Sequence, residues 1–263
     1  MRLEVVKQIP GNKTFNHPIL FVHGMWHGAW CWQEHFMPYF SEAGFEVWAF
    51  SLRGHGQSTG REKLRWTSLN DYVADLQQVV SEMPAAPVLV GHSMGGMIVQ
   101  KYLEEHHEIP AAVLMASGPP NGLLKVTLRV MAMFPATFVK CNLTLSLYPL
   151  VKHPDKVRRL FFADSFPEEK VTEYTNRLQD ESYRAYLDLL LLNLPKPQKV
   201  QTPLLVLGGE QDQLFSKKEV RYTANVYGSE AVIFPDMGHD MMLDAGWQAV
   251  ADRIIRWLRH STD

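Results

Sequence analysis

Short apolar runs of strand length alternate with amphipathic helical patterns along most of this 263-residue chain. Most of these runs are continuous, but near the N-terminus Leu3 and Val5 alternate with charged neighbours, as in an edge strand. Continuous apolar strands are typical of a parallel sheet that is covered on both faces. The runs predict seven strands: Arg2–Gln8, Pro18–Val22, Phe45–Phe50, Pro87–Val90, Ala111–Ala116, Leu204–Leu207 and Ala231–Phe234.

Helical periodicity lies between the predicted strands. Apolar residues recur at three-to-four spacing in stretches that begin at Leu69, Met94 and Trp247. Strands that alternate with helices form βαβ units with right-handed crossovers. The pattern therefore predicts an α/β fold with a doubly wound, mostly parallel sheet, in which ligands bind beyond the carboxyl ends of the strands.

One stretch interrupts this alternation, because no strand pattern occurs from Pro119 to Leu194. Turn-forming residues open it with Pro-Pro-Asn-Gly and close it with Pro-Lys-Pro. We predict a core formed by residues 1–118 and 196–263, with a helical cap inserted at 119–195 over the carboxyl edge of the sheet. The helical patterns inside the insertion include Val157–Phe162, Glu168–Leu178 and Tyr183–Leu192.

Charge and composition argue against several classes of function. The net charge of −2 provides no basic excess that could recruit nucleic acid or an anionic membrane. No run of 18 apolar residues occurs, and the N-terminus carries Arg2, Glu4 and Lys7 where a secretory signal would be apolar. Cys31 and Cys141 are far apart and not in a CxxC pair, which favours a reducing cytoplasm. We therefore expect no nucleic-acid partner and no stable membrane insertion, and the oligomeric state stays open.

The eleven histidines raise the question of a metal site. His23 and His27 are four residues apart, but Gly24 and Gly28 make that stretch a loop rather than a ligand-bearing helix. The HExxH pattern of zinc-dependent hydrolases is also absent. We predict neither a metal nor a cofactor.

The sequence Gly91-His92-Ser93-Met94-Gly95 follows a predicted strand directly and opens a predicted helix. A strand-to-helix turn this sharp strains the serine backbone and exposes its hydroxyl group, while glycines on both sides let the strand and helix approach. The pattern predicts that Ser93 is a nucleophile. The alternative is a βα turn of small residues in which the serine has no task.

A serine hydroxyl is a poor nucleophile at neutral pH and needs a base, which in turn needs an acid to orient it. His239 follows the last predicted strand after a short turn, and Asp212 follows the strand before it. Asp212 could instead cap the next helix. Glu210 and Asp240 are the rival acids, but Glu210 comes directly after its strand and Asp240 is the sequence neighbour of the histidine. We predict the order Ser93, Asp212, His239, which is that of the α/β-hydrolase triad.

Negative charge develops on the carbonyl oxygen of the substrate during attack, and hydrogen-bond donors must face it. The backbone amide of Met94 begins the helix after Ser93 and is one predicted donor. The loop after Val22 is expected to supply the second, with the Met25 amide as the best candidate. Gly24 beside it lets the backbone approach the substrate closely.

Five motifs together resemble the α/β-hydrolase superfamily. They are the His-Gly loop after Val22, RGHGQS at Arg53–Ser58, GHSMGG at Gly91–Gly96, GGEQD at Gly208–Asp212 and MGHD at Met237–Asp240. The resemblance covers residues 17–258 and implies the α/β-hydrolase fold. The loop His23–Trp30 is also similar to that of plant methylesterases and hydroxynitrile lyases. Haloalkane dehalogenases and epoxide hydrolases carry an aspartate at the position of Ser93, so this chain departs from them. We expect Arg53–Ser58 to shape the loop behind the oxyanion site and His55 to have no catalytic role.

Aromatic and aliphatic residues suggest where the substrate binds. Trp26 lies beside the predicted oxyanion loop, and Met131, Phe134 and Phe138 lie in the predicted cap, where they could form an apolar wall with Leu145, Leu147 and Met133. These cap residues could equally bury the cap against the sheet. Because Lys125, Arg129 and Lys140 interleave this apolar stretch, a surface that skims a membrane is a further alternative.

The pattern as a whole predicts hydrolysis of a carboxylic ester of small-molecule size through an acyl-enzyme. Alternatives that use the same triad are a monoglyceride or lysophospholipid lipase, a lactonase, a thioesterase and an enzyme that cleaves carbon–carbon bonds. A hydroxynitrile-lyase-like enzyme and a ligand-binding receptor on an inactive hydrolase come from other classes. Neither of these forms an acyl-serine.

Overall fold

Seven strands form the centre of the computed structural model, which describes residues 1–261. They lie in one sheet in the order β1-β3-β2-β4-β5-β6-β7. β1 pairs antiparallel with β3, and all other neighbours are parallel. This confirms the predicted α/β class with a mostly parallel sheet. The strands are β1 (Glu4–Gln8), β2 (Ile19–Val22), β3 (Val47–Ser51), β4 (Val88–His92), β5 (Ala112–Met115), β6 (Leu204–Gly209) and β7 (Ala231–Phe234).

The burial of the strands follows their sequence pattern. Every residue of β2, β3, β4, β5 and β6 is buried, as expected for strands with helices on both faces. The two edge strands, β1 and β7, are mostly half-buried. β4 is the middle strand of the sheet and β2 is its neighbour, and their carboxyl ends carry Ser93 and the His-Gly loop.

Eleven helices are described within residues 1–261, and two have reciprocal N-terminal caps, formed by Ser68 with Asp71 and by Ser216 with Glu219. Six helices accompany the strands outside the long stretch between β5 and β6: α1 (Trp30–Gln33), α2 (Phe36–Glu42), α3 (Leu69–Ser81), α4 (Met94–Tyr102), α10 (Lys217–Val226) and α11 (Trp247–Ser261). Short 3₁₀ turns cover Arg61–Trp66, Tyr148–Leu150 and Pro197–Lys199.

Between β5 and β6 the described chain forms helices and connecting turns but no strand, and residues 119–195 are called the helical segment below. A π-helical turn at Asp188–Leu192 ends its last helix. The sequence patterns indicated α7, α8 and α9, whereas α5 and α6 had no individual prediction. The division of the chain into core and cap stays a prediction. The five helices are α5 (Leu124–Met133), α6 (Pro135–Thr144), α7 (Pro154–Phe161), α8 (Glu168–Thr175) and α9 (Tyr183–Leu187).

Among residues 1–261, every helix is too short or too polar to cross a lipid bilayer.

Candidate active site

Ser93 lies at the sharp turn between β4 and α4. Its backbone has φ 54° and ψ −116°, a left-handed conformation that residues other than glycine rarely adopt. The turn also brings two chain segments very close, since a Cβ atom on Gly95 would lie 2.2 Å from the carbonyl oxygen of Val22. Such a strained strand-to-helix turn is the geometry that presents a serine hydroxyl at the edge of a sheet.

The predicted acid and base are in direct contact. His239 Nδ1 and Asp212 Oδ2 are 2.9 Å apart, and both side chains are buried. The other carboxylate oxygen of Asp212 accepts hydrogen bonds from the amides of Leu214 and Phe215, at 2.7 and 3.0 Å. Ser216 is the N-cap of α10, so Asp212 does not cap that helix. The aspartate is thus fixed by the loop after β6 and turned towards the histidine.

Opposing effects act on the pKa of His239. Burial alone would lower it, but the charge and hydrogen bond of Asp212, together with the charge of Asp240, raise the pKa above its usual value. The bond from Nδ1 also fixes the orientation of the ring and leaves Nε2 for proton transfer. The arrangement therefore suits a general base.

A contact made by the neighbour of Ser93 connects the turn that carries Ser93 to the loop that carries His239. His92 precedes Ser93, and its Nε2 atom lies 3.0 Å from the carbonyl oxygen of His239. Within residues 1–261 no hydrogen bond joins the Ser93 hydroxyl to the His239 ring. This contact commonly tightens only when a substrate is bound.

Two backbone amides lie beside Ser93 without an acceptor. Met94 is the first residue of α4, so its amide has no partner within the helix, and the Met25 amide also donates to no atom in the described chain. Both residues line the same cavity as Ser93. The structure therefore places the two predicted oxyanion donors at the nucleophile.

His23 orients the peptide that carries the Met25 amide. Its Nε2 accepts a hydrogen bond from the Leu52 amide at 3.0 Å, so Nδ1 is the donor to the carbonyl oxygen of Gly24 at 2.8 Å. Burial, followed by the charge of His55, holds the pKa of His23 well below its usual value, and the ring is neutral. Because the Gly24 carbonyl and the Met25 amide belong to one trans peptide and point in opposite directions, the bond fixes where the amide points.

Two residues of the helical segment hold Trp26, and sequence reasoning missed both. Trp26 has φ 65°; its amide donates to Glu181 Oε2 at 3.3 Å, and its carbonyl accepts from the Gln179 amide at 3.0 Å. Glu181 is buried, accepts the Tyr72 hydroxyl at 2.6 Å and lies 3.1 Å from His55 Nε2. Burial alone would raise the pKa of Glu181, but the charge and hydrogen bond of His55 contribute most to lowering it. His55 and the loop around it therefore lie behind the oxyanion loop.

The rival acids have other partners. Glu210 is exposed and pairs with Lys217 Nζ at 2.7 Å. Asp240 is buried, and its Oδ2 lies 3.1 Å from Nε2 of His27, a pair that sequence reasoning also missed. Burial alone would raise the pKa of Asp240, but the charge and hydrogen bond of His27 hold it below its usual value. Of the three acids, Asp212 is the one that contacts His239 Nδ1.

Three titratable residues beside the nucleophile have a spacing that a metal ion could use. One ligand-type atom each of His92, His239 and Asp240 lies within 4.8 Å of the others. The Asp212 contact already fixes His239, and His27 already pairs with Asp240. Because His239 and Asp240 already have these partners, we assign the three residues to the site around Ser93 and do not propose a separate metal site.

A mostly apolar cavity opens at Ser93, with an empty volume of about 710 Å³ that includes its mouth. Trp26 and Phe138 line it, as predicted for a substrate wall, together with Leu147. Tyr183 donates to Asn142 Oδ1 at 2.8 Å, and the hydroxyls of Thr127 and Tyr186 are 3.1 Å apart, so these polar groups of the wall are paired with each other. The lining of the cavity therefore suits an apolar ligand group.

The predicted positions of Met131 and Phe134 require correction, because neither lines the cavity. α5 presents Val126 and Val130 to the cavity, and Met131 is rotated by about 100° from Val130. Its side chain is 40% exposed. Phe134 ends α5 and packs 5.4 Å from the guanidinium of Arg159.

Comparisons with known proteins show which proteins this chain resembles. The family model described as "Alpha/beta hydrolase family" matches residues 19–253. The pFDCC methylesterase MES16 of Arabidopsis thaliana is 27% identical over 231 residues, which cover 84% of this chain and 86% of that protein. A monoacylglycerol lipase of Mycolicibacterium smegmatis is 24% identical over 86% of this chain and 82% of its own length. The esterase EaEST of Exiguobacterium antarcticum superposes with a TM-score of 0.78 at 19% identity, over 98% of this chain and 95% of that one.

The matched region includes β2 to β7, Ser93, Asp212 and His239, and therefore both the sheet and the residues at its carboxyl edge. On the extent of this match, the chain belongs to the alpha/beta hydrolase family.

Proposed function

We propose that this chain hydrolyses carboxylic esters through an acyl-enzyme, with Ser93 as nucleophile, His239 as base and Asp212 as orienting acid. The 2.9 Å contact between His239 Nδ1 and Asp212 Oδ2, next to the strained backbone of Ser93, is the observation that carries the proposal. The methylesterase and the monoacylglycerol lipase among its relatives act on esters by name, which supports the same class of reaction.

In the first half-reaction, Ser93 Oγ attacks the ester carbonyl while His239 Nε2 takes the hydroxyl proton. The Met25 and Met94 amides stabilise the negative oxygen of the tetrahedral intermediate. His239 then gives its proton to the leaving alcohol as the carbon–oxygen bond breaks, which leaves an acyl group on Ser93. In the second half-reaction, His239 Nε2 takes a proton from a water molecule as the water oxygen attacks the acyl carbonyl. The bond between the acyl carbon and Ser93 Oγ then breaks, His239 returns the proton to Oγ, and the carboxylic acid leaves.

We infer that the helical segment acts as a cap that selects the substrate. Helices α5 and α6 both contribute apolar side chains to the cavity above Ser93, among them Val130 and Phe138. This lining favours an ester with a sizeable apolar acyl or alcohol group, which is the chemistry that a lipid ester offers.

A single substitution tests the proposed chemistry. Wild-type protein incubated with a p-nitrophenyl ester and quenched early should carry an acyl group on the peptide that contains Ser93, detected by mass spectrometry. Ser93→Ala should show no adduct and should lose at least about a thousandfold in kcat, with circular dichroism unchanged. Activity of Ser93→Ala above about a hundredth of wild type would overturn the assignment. Turnover of a cyanohydrin without any acyl adduct would favour a lyase instead.

A further inference from the structure

Helices α5 and α6 are apolar on two faces. The inner faces line the cavity at Ser93, with Val126 and Val130 from α5 and Phe138 from α6. On the outer side of α5, Leu124, Leu128 and Met131 are 48%, 51% and 40% exposed, and on α6, Val139 and Leu143 are 56% and 81% exposed. A helix on a protein surface normally carries polar side chains on its outer face. Packing within the fold therefore does not explain why these outer positions are apolar.

The exposed apolar side chains are concentrated in one part of the sequence and recur at helical spacing on α5 and on α6. Within the described chain, twelve large apolar side chains are exposed, and six of them lie between Leu124 and Tyr148. Single exposed apolar residues are normal, whereas a contiguous group marks a contact surface. We call the group formed by Leu124, Leu128, Met131, Val139 and Leu143 the outer apolar face.

The charged residues that helices α5 and α6 themselves contribute are all basic. No acidic residue occurs between Glu108 and Asp155, a stretch that contains Lys125, Lys140 and Lys152. All three lysines are exposed, and none has an ion-pair partner within residues 1–261. A fourth cation of the stretch, Arg129, is already paired with Glu219 at 2.8 Å. An apolar surface with unpaired lysines is complementary to an anionic lipid headgroup layer.

We propose that the outer apolar face docks this protein reversibly on an anionic lipid surface. The net charge of −2, which argued against such recruitment, is that of the whole chain, whereas the lysines beside this face form a local excess of positive charge. A second copy of the chain is a poorer occupant, because a two-fold contact would place the lysines of both copies against each other. The same two helices separate the proposed docking surface from the cavity, so a lipophilic ester would have a short path from the lipid to Ser93. The docking itself does not depend on ester hydrolysis, whereas this route for the substrate rests on the proposed function.

Co-sedimentation with lipid vesicles tests the docking. The Ser93→Ala chain should pellet with vesicles of equimolar phosphatidylcholine and phosphatidylserine and far less with phosphatidylcholine alone. Adding Leu128→Ser and Leu143→Ser should weaken binding by at least about tenfold, since both apolar side chains leave the contact. Adding Lys125→Gln and Lys140→Gln should cost about fivefold per lysine on the anionic vesicles.

Matched controls separate this surface from general hydrophobicity. Ile9→Ser with Tyr222→Ser removes two exposed apolar side chains elsewhere and should leave vesicle binding unchanged. Hydrolysis of dissolved p-nitrophenyl acetate by the Leu128→Ser, Leu143→Ser chain with Ser93 intact should match wild type, because neither leucine lines the cavity. This assay reports on the proposed function, and the vesicle assay reports on docking.

Three results would overturn the proposal. The first is wild-type protein that stays in the supernatant with both kinds of vesicle. The second is equal binding by the Leu128→Ser, Leu143→Ser chain and the control. The third is a wild-type dimer in analytical ultracentrifugation that these two substitutions convert to a monomer, which would make the outer apolar face an interface between copies.

Discussion

Four buried histidines lie around the nucleophile, and their partners give them different properties. Burial lowers the pKa of His23 and, to about 3, that of His92, and neither ring has a carboxylate as its closest partner. His27 contacts Asp240 but also the carbonyl oxygen of Met25 at 2.7 Å, which fixes it in the loop. His239 alone among the four contacts Asp212. The hydrogen-bond partner, rather than burial, therefore distinguishes His239, the proposed base, from the other three histidines.

The raised pKa of His239 gives the pH–rate profile a definite direction. The ring must be neutral to accept the serine proton, so kcat/KM should fall as the pH decreases through its pKa. Because Asp212 raises that pKa, the inflection should lie above the ordinary histidine value of about 6.5. In Asp212→Asn the inflection should move to lower pH. A profile that is flat between about pH 5 and pH 8, with chemistry rate-limiting, would contradict this role.

Substitution of the three nearby acids identifies the triad member. Asp212→Asn should lower kcat by at least about a hundredfold, since an amide can present its NH₂ group to the ring and favour the wrong tautomer. Glu210→Gln should cost about tenfold or less, because Glu210 contacts Lys217 at the surface. Asp240→Asn should also stay within about tenfold in kcat. Its larger effect should be on thermal stability, because it leaves His27 without its buried carboxylate.

Kinetics on one short-chain ester, with thermal melts of each variant, decide between the acids. A near-wild-type Asp212→Asn beside an inactive Asp240→Asn would show that the wrong acid has been named. Ser93 and His239 would keep their roles in that case.

At the scale of elements, the helical segment supports the oxyanion loop from outside the sheet. Glu181 and Gln179 bond the amide and the carbonyl of Trp26, next to Met25. A carboxylate accepts at both oxygens, whereas a glutamine would turn an NH₂ group towards donors such as the Trp26 amide and the Tyr72 hydroxyl. Glu181 is thus a positioning residue for the loop that carries the Met25 amide.

Glu181→Gln tests this positioning role. We expect kcat to fall by at least about tenfold, with KM changed by less than about threefold, because the oxyanion donor acts mainly in the transition state. The affinity for a trifluoromethyl ketone, which forms a tetrahedral adduct, should fall in parallel. Asp188→Asn is the control, because Asp188 is equally buried in the same segment but bonds Leu69 and Arg184. If both variants lose stability and kcat to the same degree, Glu181 has only a structural role.

The elements themselves could be predicted well from the sequence where one periodicity dominated. Continuous apolar runs located six of the seven strands and an alternating run located β1, and the bounds of β2 and β4 differ from the prediction by one or two residues. The inward face of helix α5 could not be predicted, because apolar residues occur on both of its faces. This explains why the prediction that Met131 lines the cavity is wrong. Glu181 could not be found because its bonds to Trp26 and His55 span 155 and 126 residues and leave no local pattern.

At the scale of the whole molecule, the order of the strands in the sheet brings the residues of the candidate site close together. β2 and β4 are neighbours, which places the His-Gly loop beside Ser93, and β6 and β7 are neighbours, which places Asp212 beside His239. All four strands are parallel, so all four groups lie at the same edge. The helical segment leaves the sheet after β5, between these two pairs, and lines the cavity above the same edge. The proposed triad therefore lies at the edge of the sheet, whereas most of the cavity lining comes from the helical segment.

This division predicts that a substitution in the helical segment changes which ester is preferred while the chemistry persists. Phe138 and Phe134 form a matched pair, since both are half-buried phenylalanines of this segment and only Phe138 lines the cavity. Phe138→Ala enlarges the cavity and should raise kcat/KM for long acyl chains relative to acetate by at least about tenfold. Phe134→Ala should leave that ratio within about twofold and lower only thermal stability, because its ring packs against Arg159. The measurement is kcat/KM for p-nitrophenyl esters from acetate to palmitate, with a melting temperature for each variant. Equal shifts in the two variants would mean that the segment acts through stability alone, and Phe138 would then lose its place in the substrate wall.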